Sequence, residues 1–476
     1  MRKHIHIAWS NFPSGLSALP AVAMFLSGCA AGSADVAREG VRSTIEARSG
    51  ATIGRSGEGA AESDRVARVR SLLAGGLSDE SVVQLALLNS PSLQIALDGL
   101  GISRAELFQG ANPANPVAAW RYHGADLPKE PTGAEFSVEQ DLVSLLLAPL
   151  RVKQANGKLE LVKLRLADAI LQMAAEAKWA FYEFQAAEEG RKAAEEASQG
   201  ATAAAELARR QRKAGNISAL EEAHQQVAFQ EIEISRSHAT ADSTIARARL
   251  NQTLGLSAPS ADGWAASSGL RPLPQSDPPL DKLESLALDQ RLDLQAARAE
   301  PALLGEALTL ARMGYIPELR VGVVADRRET TTFGPAFEIS LPVFERRQYE
   351  RDRISAEISR SRHSILELEL AVRTAVQIGC ARLAEARDAA TRYGEHMVPL
   401  REKIVARSQE RYNFMLTDVY RLILAKQAEI GARQEYRHAL RDYWIARADL
   451  ERAVGGRLPE TQAGQPQQHD LGGTSR

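Results

Sequence analysis

The chain has 476 residues, a formal net charge of −2, 5% aromatic residues and two cysteines. That balance argues against the basic patch a nucleic-acid partner needs, and two cysteines cannot build a disulfide framework. Past the N-terminal signal no run of about 18 apolar residues occurs, so no transmembrane helix is expected, and length alone allows two or three domains.

The N-terminus reads as an export signal. Arg2 and Lys3 precede the apolar stretch LSALPAVAMFLSG, and small residues surround Cys29. Leu26–Cys29, LSGC, resembles a bacterial lipobox, whose thiol is acylated and becomes the new N-terminus. That chemistry needs a nucleophilic thiol left open by small neighbours. Ala30 stands where an aspartate would direct retention in the inner membrane, so the resemblance implies an outer-membrane destination. Cleavage of residues 1–28 removes the charges of Arg2 and Lys3 and leaves the mature chain near −4. Cys380 is then the remaining thiol, expected to pack as a small apolar residue of a helix. Residues 29–77, rich in Gly, Ser, Ala and Arg, are expected to be a flexible, irregular segment.

From residue 78 the sequence matches itself. LALLNSPSLQIA (85–96) pairs with LALDQRLDLQAA (286–297), FSVEQDL (136–142) with FEISLPV (337–343), RKAGNISAL (212–220) with RYNFMLTDV (411–419), and ARARLNQTLGL (246–256) with ARADLERAVGG (446–456). Four weak matches in one order, at an offset near 200, read as a duplicated half. The two repeats are 78–256 and 281–456, with a linker at 257–280 and a disordered tail at 457–476. Each repeat begins with a short helix (79–110 and 281–313). Two strands follow, at 115–123 and 134–142 and again at 316–326 and 334–343, with alternation visible in Leu319, Val321, Val323, Ala325 and in Phe337, Ile339, Leu341, Val343.

Very long helices come next. From 151 to 213 there is no proline, and Leu159, Val162, Leu166, Ala169, Met173, Ala177, Ala180 and Phe184 step by three and four, as do Ile354, Ile358, Ser361, Ile365, Leu368, Val372, Ala375 and Gly379. A helix of that length spans roughly 95 Å, far more than a compact domain needs. The chain turns at KAGNIS (213–218) and YNFMLT (412–417) and returns over 217–254 and 416–453. Ser218 with Glu221 forms a capping box, and Thr417 can cap the second returning helix with Asp418 in its first turn.

Four strands of nine to eleven residues have membrane-spanning length but cannot close a barrel alone, and an open edge is not tolerated in lipid. Either they form a small soluble sheet, or several chains share one barrel. Three copies give an even and permitted number of strands. The fold class is therefore mainly α with a small β part: a strand pair plus a long helical hairpin, duplicated, and in a trimer a twelve-stranded β-barrel running into an α-helical barrel.

The strand pair, the long hairpin, the duplication and the R-x-x-G-x-x-S-x-L turn at 212–220 resemble the TolC-type outer-membrane efflux family over about residues 78–456, and the lipobox resembles its lipoprotein branch, which serves resistance–nodulation–division pumps. The resemblance implies a homotrimeric, lipid-anchored outer-membrane channel-tunnel that extends into the periplasm. It would serve as the passive exit duct of a tripartite efflux system, meeting a periplasmic adaptor (membrane fusion) protein and an inner-membrane pump. It implies that Lys213, Ala214, Gly215 and Asn216 form one adaptor-contact tip and Tyr412, Asn413, Phe414 and Met415 the other, with Phe414 where the family has a second glycine. Asp418, Glu221 and Glu222 become periplasmic gate candidates, although a capping box accounts for Glu221 and first-turn electrostatics for Asp418 without a gate, and the two roles can coexist.

No H-E-x-x-H, C-x-x-C, phosphate-binding loop or nucleophile elbow occurs, so no enzyme activity, metal site or cofactor is expected beyond the covalent lipid on Cys29. A periplasmic adaptor or structural coiled-coil lipoprotein is the alternative, and two hairpins with two strand pairs argue against it. AGNISALEEAHQQ (214–226) is similar to segments of heavy-metal exporters, which leaves metal ions and drugs both open as substrate.

Overall fold

The computed structural model describes residues 34–50, 60–123, 133–257 and 263–458, the last stretch except 267–268, 278, 280–281, 314–315, 328–329, 342 and 345–346. Cys29 and the tail from 459 lie outside the described residues. In chain order the elements are α1 (Ala34–Ser49), α2 (Ala60–Ala74), α3 (Asp79–Asn89), α4 (Pro91–Ala111), β1 (Val117–His123), β2 (Gly133–Asp141), α5 (Leu142–Lys213) and α6 (Ala219–Thr253). There follow α7 (Leu283–Gln290), α8 (Leu292–Met313), β3 (Glu318–Arg327), β4 (Thr331–Ser340), α9 (Gln348–Thr391), α10 (Val398–Asn413) and α11 (Val419–Val454). The strands form one antiparallel sheet in the order β1-β2-β3-β4.

Where the chain departs from the sequence expectation, a local group decides. The single helix expected at 79–110 is two, because the backbone at Ser90 is extended and Pro91 opens the second at its first position. The helix expected at 281–313 likewise breaks, at Arg291. The long helix starts at Leu142 rather than 151, with Pro149 inside it. Asp141 ends β2 and caps α5 at once, accepting from the Val143 and Ser144 amides at 2.9 and 3.1 Å, so strand runs into helix with no loop. One proline is accommodated differently: Pro399 lacks the amide that Glu395 would receive, and Arg392–Met397 widens into a π turn in which the Val398 amide donates to Tyr393.

Both expected apolar stripes face inward. Leu159, Leu166, Ala177 and Phe184 are buried, as are Ile354, Ser361, Val372 and Gly379, and the residues between them are half-buried. One core gathers Leu85, Phe181, Leu283, Val372, Leu383, Tyr443 and Leu450, and a second Val41, Ile45, Leu93, Leu159, Ile170 and Leu292. Cys380 packs half-buried against the first, as expected.

The 29–77 stretch, expected to be irregular, carries two helices. Val41 and Ile45 of α1 enter the second core, Arg38 pairs with Asp98 at 3.3 Å, and Arg48 donates to the carbonyls of Gln290 and Gly455 at the ends of α7 and α11. Arg48, Arg291 and Arg452 surround Asp168, whose carboxyl is pushed up by burial and by Asp293 and held back by those arginines. The described part of the 257–280 linker is fastened to the helices. Trp444 donates its indole N–H to the Arg271 carbonyl at 2.9 Å, and Asp277 accepts from Arg387 and Tyr443, each at 2.6 Å.

Candidate functional site

The sheet has two unlike faces. Paired residues share a face, so one side carries the rows Tyr122–Ala134–Arg327–Thr331, Trp120–Phe136–Ala325–Phe333, Ala118–Val138–Val323–Pro335, Gln140–Val321–Phe337 and Leu319–Ile339. It is apolar over most of its area, and Trp120, Tyr122, Phe136, Val323, Phe333, Phe337 and Ile339 lie exposed on it. The other side carries the carboxylates Glu135, Glu139, Asp141, Glu318, Asp326 and Glu338 against Arg121 and Arg320, with pairs Arg121–Glu135 at 3.1 Å and Arg320–Glu338 at 3.7 Å. At its centre Gly322 lets β2 and β3 lie close, since a Cβ there would meet the Val138 carbonyl oxygen at 2.1 Å. A soluble sheet would turn its apolar face to a core. This one turns it outward and its acids the other way.

The helices continue the strand order. Near the sheet α4 packs on α5, α5 on α8 and α8 on α9, while toward the hairpin ends α6 packs on α5, α5 on α11 and α11 on α10. One lateral edge of the chain is therefore β1, α4 and α6, and the other β4, α9 and α10. Both carry exposed apolar residues at helical spacing: Ile95 and Ile102 on α4, Val227 and Ile234 on α6, Leu366 and Leu370 on α9, Leu400 and Ile404 on α10. The unpaired strand edges and these stripes are what the fold leaves unfilled.

The hairpin ends correct the sequence alignment by one residue. Ala214, Gly215 and Asn216 donate their amides to Arg210, Arg212 and Gln211, and Phe414, Met415 and Leu416 donate to Glu410, Tyr412 and Arg411 in the same pattern. The offset at the tips is thus 200, and Met415, not Phe414, is the counterpart of Gly215. Gly215 has φ 79° and Met415 φ 59°, so the position equivalent to Gly215 in the second turn is held by a methionine in the left-handed region. Met415 is 93% exposed, and its side chain does nothing to offset that conformation, which costs about 1–2 kcal/mol for a residue with a Cβ. Met415→Gly is expected to stabilise this turn by about 1 kcal/mol, read as slower native-state hydrogen exchange of the last α10 amides. Unchanged or faster exchange would show that the methionine holds the tip.

Of the gate candidates, Glu221 accepts from the Ser218 amide at 2.7 Å while Ser218 accepts from the Glu221 amide at 3.1 Å, the capping box expected. The bond from the Ser218 backbone holds the Glu221 carboxyl below the usual range. Asp418, expected in the first turn after a Thr417 cap, is itself the cap and accepts from the Arg421 amide at 2.9 Å. Glu222 lies in the first turn of α6. The fold brings Glu221 and Asp418 to one place with a residue sequence reasoning missed, Tyr420. Its phenol donates to Gln211 Oε1 at 2.8 Å, linking the two hairpins, and burial with the charges of Glu221 and Asp418 pushes it up, so it stays a donor. Its one sequence signal was an aromatic three residues past a turn.

No helix among the described residues is long and apolar enough to cross a membrane, which leaves the sheet as the element with a lipid-compatible face. Three solved structures share this fold. The CmeC outer membrane channel of Campylobacter jejuni is 14% identical, with a TM-score of 0.65 over 86% of this chain and 91% of that chain. The MtrE outer membrane channel of Neisseria gonorrhoeae, in its open state, is 16% identical, with a TM-score of 0.61 over 82% and 89%. A membrane protein from Pseudomonas aeruginosa is 18% identical, with a TM-score of 0.66 over 83% and 92%. No protein-family model matches the sequence, and no curated protein matches it.

Proposed function

We propose that this chain is the outer-membrane component of a tripartite efflux system, a lipoprotein of the TolC type. Three copies would form a passive exit duct for drugs or metal ions. The observation that carries the reading is the sheet with an exposed apolar face and an acidic one. Four alternating strands put β4 antiparallel to the β1 of a second copy, so the open edges pair and three copies close twelve strands. The same rotation sets the apolar stripes of α9 and α10 against those of a neighbouring α4 and α6, which makes a helical tube. With 72 residues in α5, that tube is about 108 Å long at 1.5 Å per residue. The equivalence of the two hairpin turns supports a duplicated half.

Cys29 lies five residues before Ala34, a reach of about 17 Å. Because Arg38 meets Asp98 while Arg48 meets the ends of α7 and α11, α1 runs with its N-terminus toward the sheet, where a lipid anchor is useful. The tips 213–216 and 412–415 face away from the membrane and would meet a periplasmic adaptor and, through it, a resistance–nodulation–division pump. The pump would supply the energy, so the duct needs no catalytic group or cofactor besides its lipid. Asp418 and Glu221, fixed in position by their caps, would narrow the periplasmic end as a ring of carboxylates. The acids of the inner sheet face favour cations along the exit.

The test is purification in mild detergent followed by planar-bilayer recording. The expected result is a stable trimer that opens cation-preferring pores, with Tyr420→Phe, which removes the hydrogen bond to Gln211 between the hairpins, raising the open fraction. A stable monomer without conductance overturns the proposal.

A further inference from the structure

Among the described residues, the apolar rows of the sheet stop a few ångströms short of the apolar band they would fill. From the Tyr122–Ala134–Arg327–Thr331 row to the Leu319–Ile339 row there are eight residue steps along β3. At about 3.4 Å per step and a tilt of about 40° these rise about 21 Å, against an apolar band about 25 Å tall. The first of those rows already carries Arg327. The apolar surface does not stop at the last row, however. Below it Leu341, Val343 and Tyr349 are exposed, and Phe344 is 95% exposed. Across the sheet, β2 runs into α5 at Asp141. There Leu142, Leu146 and Leu150 repeat every fourth residue as one exposed stripe over the first turns of the helix, with Leu146 72% exposed. Leu142 continues the even-numbered series Phe136, Val138 and Gln140 of the apolar face.

We infer that this elbow, the first turns of α5 together with Leu341, Val343, Phe344 and Tyr349, is a lipid-binding surface seated in the inner leaflet of the outer membrane. This rests on the barrel reading and deepens it. Contiguity with the apolar sheet face identifies the occupant as phospholipid: the leucine stripe and Phe344 meet acyl chains, and Tyr349 sits at headgroup level, where a ring with one polar end is favoured. Water there would wet exposed apolar side chains that continue the apolar face of the sheet. Helical backbone is allowed at this depth because its hydrogen bonds are internal. The membrane boundary therefore lies on the helices and not at the strand ends.

The experiment uses the full acylated chain in a Cys380→Ser background with single Leu146→Cys, Phe344→Cys and Phe333→Cys variants. Each is spin-labelled in vesicles of phosphatidylethanolamine and phosphatidylglycerol and probed with oxygen and with a water-soluble nickel chelate. Expected is oxygen access with loss of nickel access at all three sites. Nickel access at 146 and 344 with a lipid-facing 333 puts the elbow in water and overturns the inference while the barrel stands. Nickel access at 333 as well overturns both. Protection from both reagents at 146 and 344 means that a neighbouring copy covers the elbow, which also overturns it.

Discussion

Val323→Arg is expected to deplete the assembled protein from the outer membrane, while Val324→Arg, one residue away, leaves assembly intact. Val323 sits mid-strand on central β3, beside Val138 and Pro335 on the apolar face, and Val324 pairs with Ser137 and Gly334 on the polar one. An arginine facing lipid near the midplane costs about 2–4 kcal/mol, and a lumen-facing one costs little. In a shared barrel every copy bears that cost. The measurement is the heat-resistant trimer fraction in outer-membrane extracts, with ion preference as a second readout: Val324→Arg adds a positive charge to the acidic face and should weaken cation preference. Equal loss in both variants would mean that the two faces are not lipid and lumen, and the membrane reading would fail.

Phe181→Ala is expected to be the most damaging single change among the helices. The ring is fully buried in the larger core, with Tyr182 at 6.3 Å between centroids. Truncating a buried phenylalanine costs about 3–5 kcal/mol, from lost burial and from the cavity left where the surrounding helices relax only partly. The midpoint of thermal unfolding, followed by circular dichroism in detergent, should fall clearly. Phe337→Ala, whose ring is exposed on the sheet, should leave that midpoint near the native value. A Phe181→Ala protein that melts with the native one would mean that the larger core does not hold the helices together.

Much of this architecture was legible because it is local. The three-and-four stepping of Leu159 to Phe184 and the alternation of Leu319 to Ala325 are properties of consecutive residues, so they fixed the long helices and the strands before any contact was known. The capping box at Ser218 is likewise written within four residues. The errors came where a local signal had a competitor. Pro149 argued for a later helix start, but the Asp141 cap carries the helix straight out of the strand. Phe414 looked like the misfit at the second tip, yet hydrogen bonding to Glu410, Tyr412 and Arg411 moves the left-handed position to Met415.

The sequence by itself determined the element types of the two repeats, the two hairpins, the alternation of the strands and the absence of catalytic motifs, because each depends on spacing along one segment. Only the tertiary structure decided that the 29–77 stretch holds helices, since Val41 and Ile45 have an apolar surface to enter once α4 and α5 stand beside them. It alone brought Tyr420 to Gln211 and Asp277 to Arg387 and Tyr443, pairs separated by 209, 110 and 166 residues. Partners that far apart leave no periodicity to read. They meet because packed helices converge there, and that convergence belongs to the whole chain and to none of its segments.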